Sequence, residues 1–306
     1  MKKLKKILAV STAVFVLSLS LSLPTDCVSA ANSNNAVSYT VFSLKRGGTY
    51  KTKYTLNPVD TLSSTNARAV IGDDTRVVDF SKSGVVKINF TASNGESYWG
   101  TGFVVDEHTI ATAAHCVCEQ TNGKNATNSG SKVTEINFFN SDGTPGLSIT
   151  DAVEVHVPTL YVNGSYSDYN PYDYALIKVN EDLSDYAIFN LGIMNDNFIN
   201  KQTAVSVTGF PKKVNNQEVH NVMYTGTGFI RQSDDNELYY DIDTFGGNSG
   251  GPIYITSTFQ GKAYYTVIGI HAYGDANSYN GGARITTNLL QFYKNNPYIC
   301  LLYTSP

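Results

Sequence analysis

Gly246-Gly247-Asn248-Ser249-Gly250-Gly251-Pro252 is the stretch on which the reading of this 306-residue chain turns. A serine set among glycines sits in a tight turn, where its hydroxyl can project and its backbone can crowd another molecule. A glycine-rich hairpin or a phosphate cradle is the plainer alternative. A phosphate loop needs a lysine after its glycines, and Pro252 follows here instead. Outward from this run, Thr112-Ala113-Ala114-His115-Cys116 lies upstream, with Tyr172-Asp173-Tyr174-Ala175-Leu176-Ile177 between the two. Serine is a poor nucleophile at its own pKa. It needs a base within hydrogen-bond reach, and the base needs an orienting acceptor. The chain offers these in the order His115, Asp173, Ser249. Each run is weak alone, and the signal lies in all three occurring in this order with these flanks.

The flanks give each residue a setting. His115 follows the apolar strand Thr109-Ile110-Ala111-Thr112 and should open a tight turn that holds its imidazole at a sheet edge. Asp173 leads into the apolar run Ala175-Leu176-Ile177, and a carboxylate entering a buried strand needs a partner. Asp168 competes for that role but sits in a Ser/Tyr/Asn loop with no strand after it. Gly247 and Ser249 should supply a pair of backbone N–H groups to a developing oxyanion, with Gly247 freeing the peptide plane to turn inward.

The surrounding pattern is all-β. Gly84–Phe90, Gly102–Val105, Ala175–Val179, Ala204–Thr208 and Tyr264–Ile270 read as short strands broken by turn clusters such as Asn122-Gly123 and Asn280-Gly281-Gly282. The 21 tyrosines suit half-buried sheet positions. Many short strands at close spacing suggest a sandwich or barrel. Only Thr287–Tyr293 has helical spacing. A helix is expected over about 287–296, capped by Asn or Thr and stopped by Pro297.

The first 30 residues read as a secretory signal peptide: a basic head of Lys2, Lys3, Lys5 and Lys6, an apolar stretch, and the small-residue site Val28-Ser29-Ala30. Residues 31–68 carry Lys45, Arg46, Lys51, Lys53 and Arg68 against Asp60, and read as a basic pro-segment that ends in a loose Leu62–Asn66 linker. The chain's formal charge of −4 is therefore more negative still over the remainder. That balance argues against a nucleic-acid partner, and no later segment is long and apolar enough to span a bilayer. A secreted, extracellular protein is expected. Cys116 and Cys118 are too close for an unstrained bridge, and no second Cys/His pair stands nearby at zinc spacing, so neither a metal nor a cofactor is expected. The tail Cys300-Leu301-Leu302-Tyr303-Thr304-Ser305-Pro306 has no turn chemistry. The codons TGT CTC TTA TAC ACA TCT CCG spell it and resemble a transposase adapter, so 300–306 is expected to be an artefactual tail. The alternative is an apolar tail with Cys300 bridging to Cys116 or Cys118.

Together these runs resemble the secreted bacterial glutamyl endopeptidases, a branch of the chymotrypsin-like serine proteases. The carriers are Thr112–Cys116, Asp173–Ile177, Asp243–Gly250 and Val267-Ile268-Gly269-Ile270-His271, with Val70–Asp74 resembling the mature start of bacillar members. The likeness spans Ala69 to about Asn296. It implies two six-stranded antiparallel β-barrels, about 69–180 and 195–285, in a protease domain covering 69–299, with the active site between them. It implies cleavage of protein or peptide substrates after Glu, less well after Asp, by an acyl-enzyme mechanism on Ser249, His115 and Asp173. His271 and Thr244 would read the carboxylate, Ala272 would pair with the substrate backbone, and the amine freed at Ala69 would contribute. A Glu-specific enzyme cannot cut at Arg68, so an activating trypsin-like protease is implied, and the mature enzyme is expected to be a monomer. Asn248 stands where the animal digestive enzymes keep an Asp that pairs with the new N-terminus, and Cys116 lacks its usual disulfide partner. Two rival readings remain: Asp243, six before Ser249, selecting Lys or Arg, and an inactive binding module of the same fold.

Overall fold

The computed structural model describes residues 36–43, 48–55, 70, 73–92, 95–118, 132–152, 154–163, 171–186, 189–199, 203–274 and 279–294. The expected signal peptide, the cleavage site with Ala69, Asp168, Asn122-Gly123 and the tail with Cys300 lie outside the described residues. In chain order the first half contributes β1 (Ala36–Ser43), β2 (Gly48–Thr55), β3 (Val77–Val78), β4 (Val85–Thr91), β5 (Ser97–Asp106), β6 (Thr109–Thr112), β7 (Lys132–Phe139), β8 (Pro145–Ile149), β9 (Glu154–Pro158), the short helix α1 (Thr159–Asn163) and β10 (Ala175–Lys178). The second half contributes β11 (Asn190–Leu191), the short helix α2 (Asp196–Ile199), β12 (Ala204–Gly209), β13 (Lys213–Val214), β14 (Gln217–Glu218), β15 (Tyr224–Ser233), β16 (Glu237–Tyr240), β17 (Pro252–Phe259), β18 (Lys262–Gly274), β19 (Asn280–Arg284) and α3 (Thr287–Lys294).

These strands form two main sheets. In the second, β18-β17-β12-β15-β16-β19 runs in order and β18 also pairs with β19, so six strands close into a barrel. The first is a nine-stranded sheet, β2-β1-β9-β10-β6-β5-β4-β7-β8, whose hydrogen-bonded path does not return on itself. Its outer hairpin, β1–β2, comes from the basic segment before Arg68: β1 pairs antiparallel with β9, Thr40 opposite Val157. Val77–Val78, inside the range expected for the first barrel, instead pairs with Tyr224–Thr225 of the second. Asp79 holds it there, its N–H donating to the Met223 carbonyl and its carboxylate accepting from Thr225 Oγ1.

The core explains why the strands hold. Every residue of β6 and β10 is buried, so both faces of these central strands are covered, with the Lys178 ammonium donating to Thr109 Oγ1 at 2.7 Å. Val86, Ile88, Phe103, Ile110, Leu176 and Ile177 are fully enclosed, each contributing about 1.5–3 kcal/mol of transfer free energy. At the C-terminus, Thr286 caps α3 by accepting from the Leu289 N–H at 3.2 Å. The helix buries Phe292 against Tyr174, ring centroids 5.2 Å apart and edge-on. That contact presses on the residue next to Asp173 and so ties the last helix to the site.

Candidate active site

The register of two strands brings His115 and Asp173 together. β6 and β10 run antiparallel with Thr112 opposite Ala175. His115 lies three residues past Thr112, in a single 3-10 turn over Ala114–Cys116, and Asp173 lies two residues before Ala175. One carboxylate oxygen accepts the His115 backbone N–H at 2.9 Å, and the other lies 2.7 Å from Nδ1. This grip places the ring proton on Nδ1 and leaves Nε2 as the basic nitrogen. Burial lowers the imidazole pKa, but the charge and hydrogen bond of Asp173, joined by the neighbouring Cys116, outweigh it, so the pKa stands well above the ordinary 6.5.

Ser249 sits in the glycine turn at 5% exposure. Its carbonyl accepts the Thr101 N–H at 2.8 Å and the Cys116 Sγ–H at 3.5 Å. The residue after His115 therefore touches the backbone of Ser249, and Cys116 is buried and in no disulfide among the described residues. Gly247 has φ +101°, and a Cβ there would stand 2.2 Å from the Phe210 carbonyl oxygen. Among the described residues the N–H groups of Gly247 and Ser249 have no protein acceptor. Asn248 closes the turn locally: its Oδ1 accepts the Phe245 N–H at 3.2 Å and its carbonyl accepts the Gly251 N–H at 2.9 Å.

Thr101 is a site residue that sequence reasoning missed. It is fully buried on β5 of the first sheet. Its Oγ1 donates to the Gly247 carbonyl at 2.7 Å and accepts the Phe210 N–H at 3.0 Å, while Thr112 Oγ1 donates to its carbonyl at 2.7 Å. One threonine thus stitches the serine turn to the strand that precedes the histidine turn. The only signal was Gly100-Thr101-Gly102, a small-residue stretch inside a strand that marks close backbone approach. Thr101→Val keeps the shape and removes both hydroxyl bonds. It is expected to lower kcat by about tenfold or more with a smaller change in KM, as steady-state kinetics would reveal.

His271, expected to line the substrate pocket, is held by the same turn. The Gly250 N–H donates to the His271 carbonyl at 2.7 Å, and the His271 N–H donates to the Gly251 carbonyl at 2.9 Å. His271 is buried, with Nδ1 hydrogen-bonded to the Tyr240 hydroxyl, a partner the sequence did not announce. The pairing of β18 with β19 shifts between His271 and Tyr273, leaving Ala272 without a register partner on β19. Thr244 is fully buried and its hydroxyl has no hydrogen-bond partner among the described residues. Asp243 is buried beside it, with one carboxylate oxygen accepting both the Thr75 N–H at 2.9 Å and the Thr75 hydroxyl at 3.0 Å. Among the described residues no group of three or more His, Cys, Asp or Glu side chains is placed to hold a metal ion, and no helix is long and apolar enough to cross a membrane.

The sequence profile of the trypsin-like peptidase domain matches residues 100–260, more than half of the chain. The chain belongs to the trypsin-like peptidase family. It is a serine protease of the chymotrypsin-like type. Its similarity to an extracellular metalloprotease of Bacillus subtilis (strain 168) is 29% identity over 243 residues, covering 74% of this chain and 70% of that one. A glutamyl endopeptidase of Bacillus licheniformis is 26% identical over 259 residues, 81% of this chain and 76% of the relative. Among solved structures, a Glu endopeptidase in complex with MPD superposes with a TM-score of 0.57 at 25% identity, over 74% of this chain and 98% of that chain. The two strand systems and the C-terminal helix are therefore the chymotrypsin-like double-barrel architecture that the resemblance implied.

Proposed function

We propose that this protease is a secreted endopeptidase that cleaves after Glu, and less well after Asp, through an acyl-enzyme on Ser249. His115 Nε2 takes the hydroxyl proton as Ser249 Oγ attacks the scissile carbonyl. Asp173 orients the ring and stabilises the imidazolium, and the N–H groups of Gly247 and Ser249 receive the oxyanion. The imidazolium then protonates the leaving amine, and water repeats the cycle on the ester. The observation that carries the specificity is the polar inventory of the pocket: Thr244 holds a buried hydroxyl without a partner among the described residues, while the Asp243 carboxylate is already engaged by Thr75. A buried orphan hydroxyl calls for a polar ligand. An acid already held by a backbone N–H and a hydroxyl is poorly placed to select Lys or Arg. His271, with Nδ1 against the Tyr240 hydroxyl, can donate its other ring proton to a substrate carboxylate. The test is kcat/KM on matched peptides with Glu, Asp, Gln or Lys before the cut. Glu should lead, and preference for Lys would overturn the reading in favour of Asp243.

The raised His115 pKa sets the pH dependence. The base must be neutral to act, and its pKa lies above the free value, so activity grows with pH and its acid limb has a midpoint above 6.5. A kcat/KM profile already at plateau by pH 6.5 would contradict this. Maturation fits the same scheme: a cut after Arg68 by a separate trypsin-like protease would start the chain at Ala69, or at Val70 after trimming, and sever the β1–β2 hairpin from the protease. N-terminal sequencing of the secreted enzyme reads that start directly.

A further inference from the structure

Glu237 is a buried acid that the reaction above does not use. It sits in β16 at 2% exposure. Each carboxylate oxygen is taken by a phenol: Tyr273 OH donates to Oε1 at 2.8 Å and Tyr239 OH to Oε2 at 2.7 Å. The two tyrosines come from strands on either side of β19, and both have Gly281 as register partner. A Cβ at Gly281 would stand 2.5 Å from the Tyr273 ring, so this glycine is what lets Tyr273 cross β19 to reach the acid. The two rings meet edge-on, centroids 6.5 Å apart at 71°. Tyr273 directly follows Ala272, where the β18–β19 ladder skips, and stands two residues after His271, whose backbone clamps the serine turn.

We propose that Glu237 is a positioning residue for extended substrates: through the two phenols it fixes the end of β18 and so the Ala272–Gly274 backbone against which a bound peptide pairs. The proposal rests on the endopeptidase reading above and on the expectation, implied by the family resemblance, that this strand receives the substrate main chain.

The geometry makes the clamp sensitive to protonation. An ionised carboxylate accepts from both phenols. A protonated one must itself donate, so one phenol turns from donor to acceptor and its geometry changes. Burial pushes the carboxyl up to about 7, against the opposing pull of the two phenol bonds. Other groups facing it are few. Asp234 lies on the same segment near Tyr239, and from β15 the register partners of Leu238 and Tyr239 are the uncharged Ser233 and Gln232. From β19, Arg284 follows Ala283, the register partner of Glu237, but its guanidinium bonds the carbonyls of Asp234 and Met194 and the carboxylate of Asp196. The folded pKa lies above the free value of 4.5. The stability this group contributes is therefore present below pH 4.5 and lost as pH rises through about 7. The two-phenol clamp forms as pH rises through about 7 and is complete above it. Glutamine at 237 imitates the protonated acid at every pH.

The test is peptide affinity on the mature enzyme, freed of residues before Ala69 by a trypsin-like protease and carrying Ser249→Ala. A fluorescent peptide with Glu at the cleaved position and three alanines before it is compared, from pH 5.5 to 8.5, with one lacking those alanines. The ratio of the two affinities removes whatever His115 and His271 contribute through their own charge. The ratio should favour the longer peptide and rise through about pH 7. Adding Glu237→Gln should weaken the longer peptide by about threefold to tenfold at pH 8, abolish the inflection, and leave the short peptide unchanged. Tyr273→Phe should give the same loss at pH 8. An inflection that survives Glu237→Gln, or equal weakening of both peptides, overturns the proposal. So does a parent that gains nothing from the three alanines. If the parent binds a Gln-containing version as tightly as the Glu one, the specificity reading fails, while the Glu237 comparison still stands on that peptide.

Discussion

Ser249→Ala is expected to lower turnover of a Glu-containing peptide by about ten-thousandfold or more while leaving the melting temperature within a degree or two. The side chain is small and the backbone of the turn is held by other groups: Thr101 and Cys116 on the Ser249 carbonyl, Thr101 on Gly247, and Asn248 on Phe245. Losing the hydroxyl removes the nucleophile and little else. His115→Ala should be comparably inactive. Asp173→Asn should be nearly so, because an amide facing Nδ1 favours the wrong tautomer and no longer stabilises the imidazolium. The three losses should not add, since the residues act as a unit: a variant lacking all three should be about as slow as Ser249→Ala alone. A folded His115→Ala enzyme with near-normal kcat would end the assignment.

His271→Ala is expected to reduce kcat/KM on a Glu substrate by about tenfold to a hundredfold, with a much smaller loss on the matched Gln peptide. The imidazole is buried and supported by the Tyr240 hydroxyl, so its orientation is fixed before substrate arrives. Its removal costs a charge-assisted hydrogen bond that only the acidic side chain could have made. Thr244→Val should act in the same direction with a smaller effect, because a hydroxyl contributes one bond without charge. Equal losses on Glu and Gln would make His271 a structural residue of the barrel.

The candidate site was legible in the sequence where short motifs sit at strand ends. His115, Asp173 and Ser249 each follow or precede an apolar run, so burial and turn chemistry could be read locally, and the family likeness joined them. The C-terminal helix was legible through its spacing, and the cap expected to be Asn or Thr is Thr286. What could not be read were bonds between residues far apart in the chain. The Thr101–Gly247 bond spans 146 positions and the Thr75–Asp243 bond 168, and neither threonine stands in a motif. Tyr240 and Glu237 on β16 reach His271 and Tyr273 on β18 across β19, an arrangement made only when the second barrel closes. Strand lengths were also underread. β18 runs from Lys262 to Gly274 and β5 from Ser97 to Asp106, their ends carrying polar and glycine residues that pair through backbone alone. Val77–Val78 looked like part of the first barrel because of its place in the chain, whereas Asp79 and its bonds to Met223 and Thr225 hold it to the second.

The most direct measurement of the central claim is a limit digest of one unfolded protein by the mature enzyme, with every cut mapped by mass spectrometry. A Ser249 protease whose pocket reads a carboxylate through His271 and Thr244 should cut after Glu at most sites and after Asp at a minority. Cuts dominated by Lys or Arg, or spread without regard to the preceding residue, would contradict it.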